Sequence, residues 1–395
     1  MDKDVENTKN KIDYKLKTNK PKKVLFTATV VKTHINVFHL PYLKWFKEHV
    51  YEVHLAAKND FINELCIIPN CDQYYDINFT RFPFSEANIK AYKQLKKLIQ
   101  ENNYDIIHCH TPVAGVLTRL AARKSKNTTV IYTAHGFHFF KGAPLLNWLI
   151  YYPVERFCAR FTDKLITINK EDYERAKRFS LRKNGKVYYV PGVGINLEKI
   201  QNLKVDIKQK KTELGILEDI PVLLSVGELI KRKNHETVLK ALSQIKDKNF
   251  IYLICGRGVL MEYLKNLTKQ LGLESKVKFL GFRKDIAEIC KTADLFIFPS
   301  YQEGLPVALM EAMACELPVI ASNVRGNRDL IAKENLFEPN DVAALINLIK
   351  KQLQAIQNKE LKKVVYTNLE QYSLENVLKQ MAEIYTDKWE HKSDT

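Results

Sequence analysis

Apolar and polar positions alternate along this chain in two long series. In the first, short apolar runs stand at Lys23–Thr29 (KVLFTAT), Tyr51–Ala57, Tyr104–His110, Thr129–Ala134 and Lys164–Asn169. Most are separated by segments whose apolar residues recur at helical spacing. A second series runs through Val222–Val226, Phe250–Cys255, Val277–Leu280, Leu295–Phe298 and Val319–Ala321, again with helical segments between. Alternation of this kind predicts parallel sheets covered on both faces by helices. Two consecutive series predict two α/β domains. Between them, Tyr188–Asn196 (YYVPGVGIN) is rich in Gly and Pro and is the expected hinge. The expected organisation is a basic, disordered lead-in over 1–21, a first domain over 22–190, a second over 191–373, and a closing segment over 374–395 that is helical from about Leu374 to Glu390.

Composition narrows the class. A chain of 395 residues with 46% hydrophobic positions, 14 Gly and 13 Pro is globular and long enough for two domains. The longest apolar passage, Pro144–Val154, is too short to span a bilayer and contains Asn147. The first twenty residues are charged and polar with no apolar core, so no signal peptide is expected. The seven cysteines are scattered and contain no C-x-x-C pair, which reads as reduced core thiols of a cytoplasmic protein. The net charge of +17 is uneven: residues 1–200 hold 33 Lys and Arg against 19 Asp and Glu, nearly all of the excess. No nucleic-acid-binding motif accompanies it, so an anionic membrane surface and a phosphorylated acceptor are the expected partners. A solvated surface tuned for solubility is the alternative.

The densest chemistry lies in Asp294–Ser322, DLFIFPSYQEGLPVALMEAMACELPVIAS. An apolar run stops at Pro299, a polar turn carries Glu303 and Gly304, and a helix is expected to open with Pro306 at its first position, where the missing N–H costs nothing. The amides near Gly304 and Leu305 then sit at a helix N-terminus, which favours an anion. Glu303 stands beside that position and Glu311 deeper in the helix. The arrangement suits a nucleotide sugar, with a diphosphate on the amides and sugar hydroxyls on the carboxylates.

The two glutamates with seven residues between them, the Gly304-Leu305-Pro306 turn and the helix Glu311-Ala312-Met313-Ala314 resemble the signature of the retaining glycosyltransferases of family 4. The resemblance implies the GT-B fold, two facing Rossmann-like domains with parallel sheets and an active-site cleft between them. It implies that Glu303 approaches the donor sugar, that Gly304 and Leu305 hold the diphosphate, and that Glu311 meets the ribose. It also makes the first domain the acceptor side, the second the donor side, and the last helix a segment crossing back toward the first domain.

Other segments extend this picture. Leu223–Asn234 (LLSVGELIKRKN) runs from a strand through a Gly turn into a basic cluster, where Arg232 and Lys233 could neutralise a leaving diphosphate. Lys233 matches the family's lysine, whereas Glu228 stands where many members carry an arginine, leaving Arg232 or Lys231 to substitute. Gly256-Arg257-Gly258 and Gly281-Phe282-Arg283 each follow a strand, and strand C-terminal ends are where doubly wound sheets bind ligands. By resemblance, Arg257, Phe282 and Arg283 border the nucleobase. His135, after the strand ending at Ala134, matches a family histidine near the donor sugar and reaction centre. His108 and His110 share one face of their strand and read as acceptor-side lining. The loop Thr29–His34 lacks the family's glycine pair, so Lys32 and His34 are expected toward the acceptor.

An Asp-x-Asp metal motif occurs only as Asp2-Lys3-Asp4 in the lead-in, so no metal and no cofactor are expected. Pro41–Val53 and Lys141–Arg160 mix aromatics with basic residues, as interfacial helices do. The resulting expectation is a metal-independent transferase, moving a hexose or N-acetylhexosamine from a nucleotide sugar, UDP-linked by resemblance, to a lipid-diphosphate-linked or polysaccharide acceptor. It would work in the cytoplasm at the inner face of the plasma membrane and bind no nucleic acid. A nucleotide-sugar epimerase or hydrolase and a non-catalytic partner subunit are the alternatives.

Overall fold

A computed structural model describes residues 21–387, apart from 218, 359, 361–363, 365 and 367. The lead-in over 1–20, with its Asp2-Lys3-Asp4, and the end of the closing segment from 388 lie outside the described residues. Contacts divide the described chain into two compact units. One takes the residues up to Thr133 with Glu155–Lys164 and Leu181–Lys186. The other takes Ala134–Val154, Leu165–Ser180 and the residues from Val187.

The chain forms two sheets. The first contains β1 (Lys23–Val30), β2 (Glu52–Lys58), β3 (Gln73–Asp76), β4 (Ile106–His110), β5 (Thr129–Ala134), β6 (Lys164–Thr167) and β7 (Lys186–Tyr189) in the order β3-β2-β1-β4-β5-β6-β7. The second contains β8 (Val222–Val226), β9 (Ile251–Cys255), β10 (Val277–Gly281), β11 (Leu295–Phe298), β12 (Val319–Ser322) and β13 (Leu336–Phe337) in the order β10-β9-β8-β11-β12-β13. The strand pairs β1·β2, β1·β4, β8·β9 and β8·β11 are parallel. These are the two parallel sheets expected from the alternation, and they carry the GT-B fold that the resemblance implies.

The near-continuous apolar runs are explained by burial on both faces. In the second sheet, Leu223, Leu295, Ile297 and Ile320 pack into one core cluster. Their neighbours Val222, Leu224, Phe296, Phe298, Val319 and Ala321 pack into another. Successive strand residues point to opposite faces, so a sheet covered on both sides needs apolar residues throughout.

Both sheets reverse their winding once. In the first the reversal falls between β1 and β4, and in the second between β8 and β11. Such reversals open crevices at the strand C-terminal ends, where doubly wound sheets bind ligands.

Three strands escaped the sequence pattern. β3 (QYYD), β7 (KVYY) and β13 (LF) are short and partly exposed, so they carry no apolar run. Tyr188 and Tyr189 belong to β7, and the irregular segment expected as a hinge therefore begins at Val190. That segment is tied down at Ile195, whose N–H donates to the Tyr372 carbonyl at 2.9 Å and whose carbonyl accepts from Leu374 N–H at 2.8 Å. Gly194 has φ +77, and a Cβ there would lie 2.6 Å from Leu374 Cα, so this crossing admits only glycine. The closing helix spans Leu374–Tyr385 and buries Val377, Met381 and Ile384. All seven cysteines are free; five are buried, while Cys66 and Cys71 are half-buried rather than core thiols.

Candidate functional site

At the β8/β11 reversal, β8 leads into a basic 3-10 turn, Lys231–Lys233, and β11 leads into the turn carrying Glu303. Asn234 stitches the two together. It adopts the left-handed conformation (φ 56°) and its amide donates to the carbonyls of Pro299 at 3.1 Å and Pro339 at 2.9 Å. Arg232 closes the other side, donating from Nη1 to the Gln302 carbonyl at 2.9 Å while its own carbonyl accepts from Tyr301 N–H at 2.8 Å.

The result is a close ion pair. Lys233 Nζ lies 2.6 Å from Glu303 Oε1, and Arg232 Nη1 lies 3.4 Å from the same oxygen. The Glu303 side chain is 7% exposed and that of Lys233 13%, against 41% for Arg232. Lys233 Nζ also stands 4.9 Å from the centre of the Phe298 ring. A lysine beside a helix start opposes the helix dipole, and Glu303 supplies the local reason for it. The turn that carries Glu303 is polar in sequence, which by itself leaves the side chain's burial open. The carboxylate is buried, because the turn folds back under the basic cluster.

The helix after Glu303 spans Val307–Ala314, and Pro306 is its cap with extended backbone (ψ 117°) rather than its first residue. Glu311 lies inside this helix, and burial pushes its carboxyl above the ordinary range. Gly304 is held in tight quarters: a Cβ there would fall 2.1 Å from the His135 carbonyl oxygen. The Glu303 turn and the His135 loop thus touch backbone to backbone, and His135 is half-buried.

The turns after β8, β9 and β10 interlock. Gly227 N–H donates to the Cys255 carbonyl, Leu229 N–H to the Arg257 carbonyl, and Gly256 N–H to the Gly281 carbonyl. A Cβ on Gly256 would meet the Gly227 carbonyl oxygen at 1.8 Å. Arg257 lies 5.7 Å from the Phe282 ring, which is 60% exposed. The Arg283 guanidinium is committed to Glu213 at 2.7 Å and to Asp285, which also accepts from Lys210. Arg283 therefore braces this corner through its side chain.

At the β1/β4 reversal, Lys32 and His34 fall in a π-helical segment, Val31–Ile35, in place of a glycine loop. Asp60 holds its start, accepting from Thr33 N–H at 3.1 Å and Thr33 Oγ1 at 2.7 Å. Lys32 Nζ reaches Glu64 Oε2 at 2.8 Å. His34, His39, His108 and His110 form one imidazole cluster: the His39 ring is 3.9 Å from that of His110 and 4.9 Å from that of His34, and the His108 and His110 rings are 4.1 Å apart. Burial, with Arg81 second, lowers the His34 pKa to about 4, and burial lowers that of His108 to about 3. His39 had carried no signal in the sequence, because it sits on a helical turn away from the paired strand histidines.

Two Rossmann-like parallel sheets, each with a ligand-binding crevice at its reversal, have the architecture of the GT-B glycosyltransferases. The chain belongs to that family: residues 206–369 match the glycosyl transferases group 1 and residues 23–169 the glycosyl transferase 4-like proteins. It is 42% identical over 315 residues to the putative glycosyltransferase EpsD of Bacillus subtilis, covering 78% of this chain and 81% of that one. It is 35% identical over 272 residues to the Escherichia coli UDP-Gal:alpha-D-GlcNAc-diphosphoundecaprenol alpha-1,3-galactosyltransferase, covering 66% and 70%. Among solved structures, Anabaena Alr3699/HepE in complex with UDP and glucose superposes with a TM-score of 0.74 at 20% identity, over 93% of this chain and 100% of that one. At that identity the match speaks for the fold alone.

Proposed function

We propose that this glycosyltransferase moves a hexose or N-acetylhexosamine, with retention of configuration, from a UDP-linked donor to a lipid-diphosphate-linked glycan. The observation that carries the reading is the buried Lys233–Glu303 pair at the β8/β11 reversal, 2.6 Å apart. A lysine held this way is a preorganised cation for the charge that develops on a leaving diphosphate. Arg232 adds a second, exposed cation. In this reading Glu303 and His135 face the sugar, and Gly304 and Leu305 hold the diphosphate at the start of the Val307–Ala314 helix. Glu311 meets the ribose, and Arg257 with the backbone of Phe282 and Arg283 borders the base. Lys32, His34 and His110 serve the acceptor. Residues 22–190 form the acceptor half and 191–373 the donor half. The two cations do the electrostatic work that a metal does elsewhere, so the reaction proceeds without one. The E. coli relative's uridine-linked donor and diphosphoundecaprenol acceptor support the choice of substrates.

Docking on an anionic membrane belongs to the same reading. No described helix is long and apolar enough to cross a membrane. The helix Leu145–Ala159, however, exposes Leu145, Leu146, Leu149, Ile150, Val154 and Phe157 along one stripe, with Lys141, Arg156 and Arg160 exposed around it. An apolar stripe rimmed by basic residues suits an interfacial position among anionic headgroups. Trp148 and Tyr151 are not part of it. Trp148 packs on Phe139 and under Arg175, and Tyr151 stacks on His138.

Donor choice is tested by thermal stabilisation with a panel of nucleotide sugars. A donor at 100 times its Kd adds about 2.7 kcal/mol. Stabilisation by uridine-linked sugars supports the reading, and stabilisation only by guanosine- or adenosine-linked ones overturns its donor assignment.

A further inference from the structure

We propose that Arg325, paired with Asp172, is a positioning residue that fixes Glu303 relative to His135; the inference rests on reading those two as the groups that face the donor sugar. Arg325 follows β12 and is 2% exposed. Its Nε donates to the Glu303 carbonyl at 2.9 Å, and its Nη1 to Asp172 Oδ1 at 2.7 Å. The other oxygen of Asp172 accepts from Phe137 N–H at 2.9 Å and from Asn169 Nδ2 at 2.9 Å. One guanidinium–carboxylate bridge thus joins the backbone of Glu303 to the backbone two residues past His135.

The surroundings leave little freedom. A Cβ on Gly326 would fall 2.2 Å from the Gly304 carbonyl oxygen, and one on Gly136 would fall 3.0 Å from Arg325 Nη2 and 3.3 Å from Gly304 Cα. The Phe140 ring lies 4.6 Å from the guanidinium carbon. Three glycines, one from each loop, let the backbones meet around the bridge.

Stability alone is a poor reason for such a pair. Both side chains are removed from water, at 1% and 0% exposure. Burial raises the Asp172 pKa despite Arg325, and lowers that of Arg325 despite Asp172. Nη2 of Arg325 is buried with no hydrogen-bond partner among the described residues. Buried pairs of this kind are often matched or bettered by apolar residues of similar volume, whereas removing one partner leaves a lone buried charge. What the fork supplies that an apolar pair cannot is direction: two donors in one plane, one to the Glu303 carbonyl and one to the Asp172 carboxylate that holds Phe137 N–H.

The test compares Arg325→Lys and the charge-matched double variant Asp172→Asn/Arg325→Met with wild type and with Glu303→Gln. The double variant avoids the lone buried charge that would unfold Arg325→Met alone. Turnover at saturating donor, donor Kd by calorimetry and melting temperature are measured for each. A displacement near 1 Å at reacting groups costs about 100-fold. The double variant is therefore expected to lose about that factor in kcat, with donor Kd within about threefold and with the wild-type melting temperature. Lysine reaches the Glu303 carbonyl or the Asp172 carboxylate but not both in the fork's geometry, so Arg325→Lys recovers less than a tenth of wild-type turnover. If Glu303→Gln is inactive and the double variant turns over like wild type, Arg325 and Asp172 are merely structural and the inference fails. If the double variant does not fold, a folded Arg325→Lys with wild-type kcat overturns it equally. If Glu303→Gln itself keeps wild-type turnover, the reading of Glu303 is what fails.

Discussion

Replacing Lys233 with methionine keeps the length of the side chain and removes its charge from Glu303. Two unit charges 2.6 Å apart attract by about 6 kcal/mol before desolvation at an effective dielectric of 20. Most of that is offset by taking both groups out of water, and Arg232 at 3.4 Å remains as a partial partner. The net loss of stability should thus be that of a charge-assisted hydrogen bond, about 1.5–3 kcal/mol. The loss in catalysis should be larger. Removing one preorganised group from developing charge costs about 100- to 1,000-fold in kcat. Transfer of a radiolabelled sugar to a lipid-linked acceptor, at saturating donor, measures it, with circular dichroism to establish the folded fraction. Glu303→Gln should lose a comparable factor. The double variant should fall no more than about threefold below the worse single one, since both act on a single pair. A folded Lys233→Met enzyme with kcat within threefold of wild type would refute the role given to this pair. Losses that multiply in the double variant would refute their acting together.

Other outcomes follow from the same geometry. Gly304→Ala should unfold the second unit or lower its melting temperature sharply, because its Cβ has the His135 carbonyl oxygen 2.1 Å away; an unchanged melt would contradict that contact. Transfer should persist in excess EDTA, and full loss with rescue by magnesium or manganese would overturn the metal-free mechanism. Burial, with Lys233 second, lowers the His235 pKa to about 4. The unfolded chain therefore binds its proton near pH 6.5 and the folded one does not, so this stability is fully present above pH 6.5 and lost as pH falls toward 4, by about 3 kcal/mol. His235→Leu should flatten the urea midpoint across that window, and an unchanged slope would remove His235 as its cause. Leu146→Ser/Leu149→Ser should weaken binding to anionic liposomes without altering the melt, whereas unchanged binding would strip the Leu145–Ala159 stripe of that role.

Much of the fold could be read in advance because buried parallel strands leave an unmistakable mark: every residue of Leu295–Phe298 is apolar, and so is the run Val222–Leu224. β3 and β13 left no such mark because edge strands in these sheets are short and half wet. The Glu303 segment was legible as a strand, turn and helix, and its partner Lys233 by its place after β8. That the two meet at 2.6 Å was not, since asparagine tolerates the left-handed conformation without requiring it, and only the folded chain shows Asn234 adopting it and folding one turn onto the other. Arg325 and Asp172 were invisible for a related reason. They stand 153 positions apart, in segments that look like ordinary loop and helix start, and only the folded backbone brings them together. The histidine cluster was half visible: His108 and His110 share a strand face, whereas His39 joins them from a separate helical turn.

Transfer from a uridine-linked donor at the Glu303 site is expected to retain the configuration of the donor sugar. The most direct measurement is the anomeric configuration of the product, read from its proton coupling constant after reaction of an α-linked UDP-sugar with a synthetic lipid-diphosphate acceptor. Wild type should give an α-linked product and Glu303→Gln none. A β-linked product, or an α-linked product formed equally well without Glu303, would contradict that expectation.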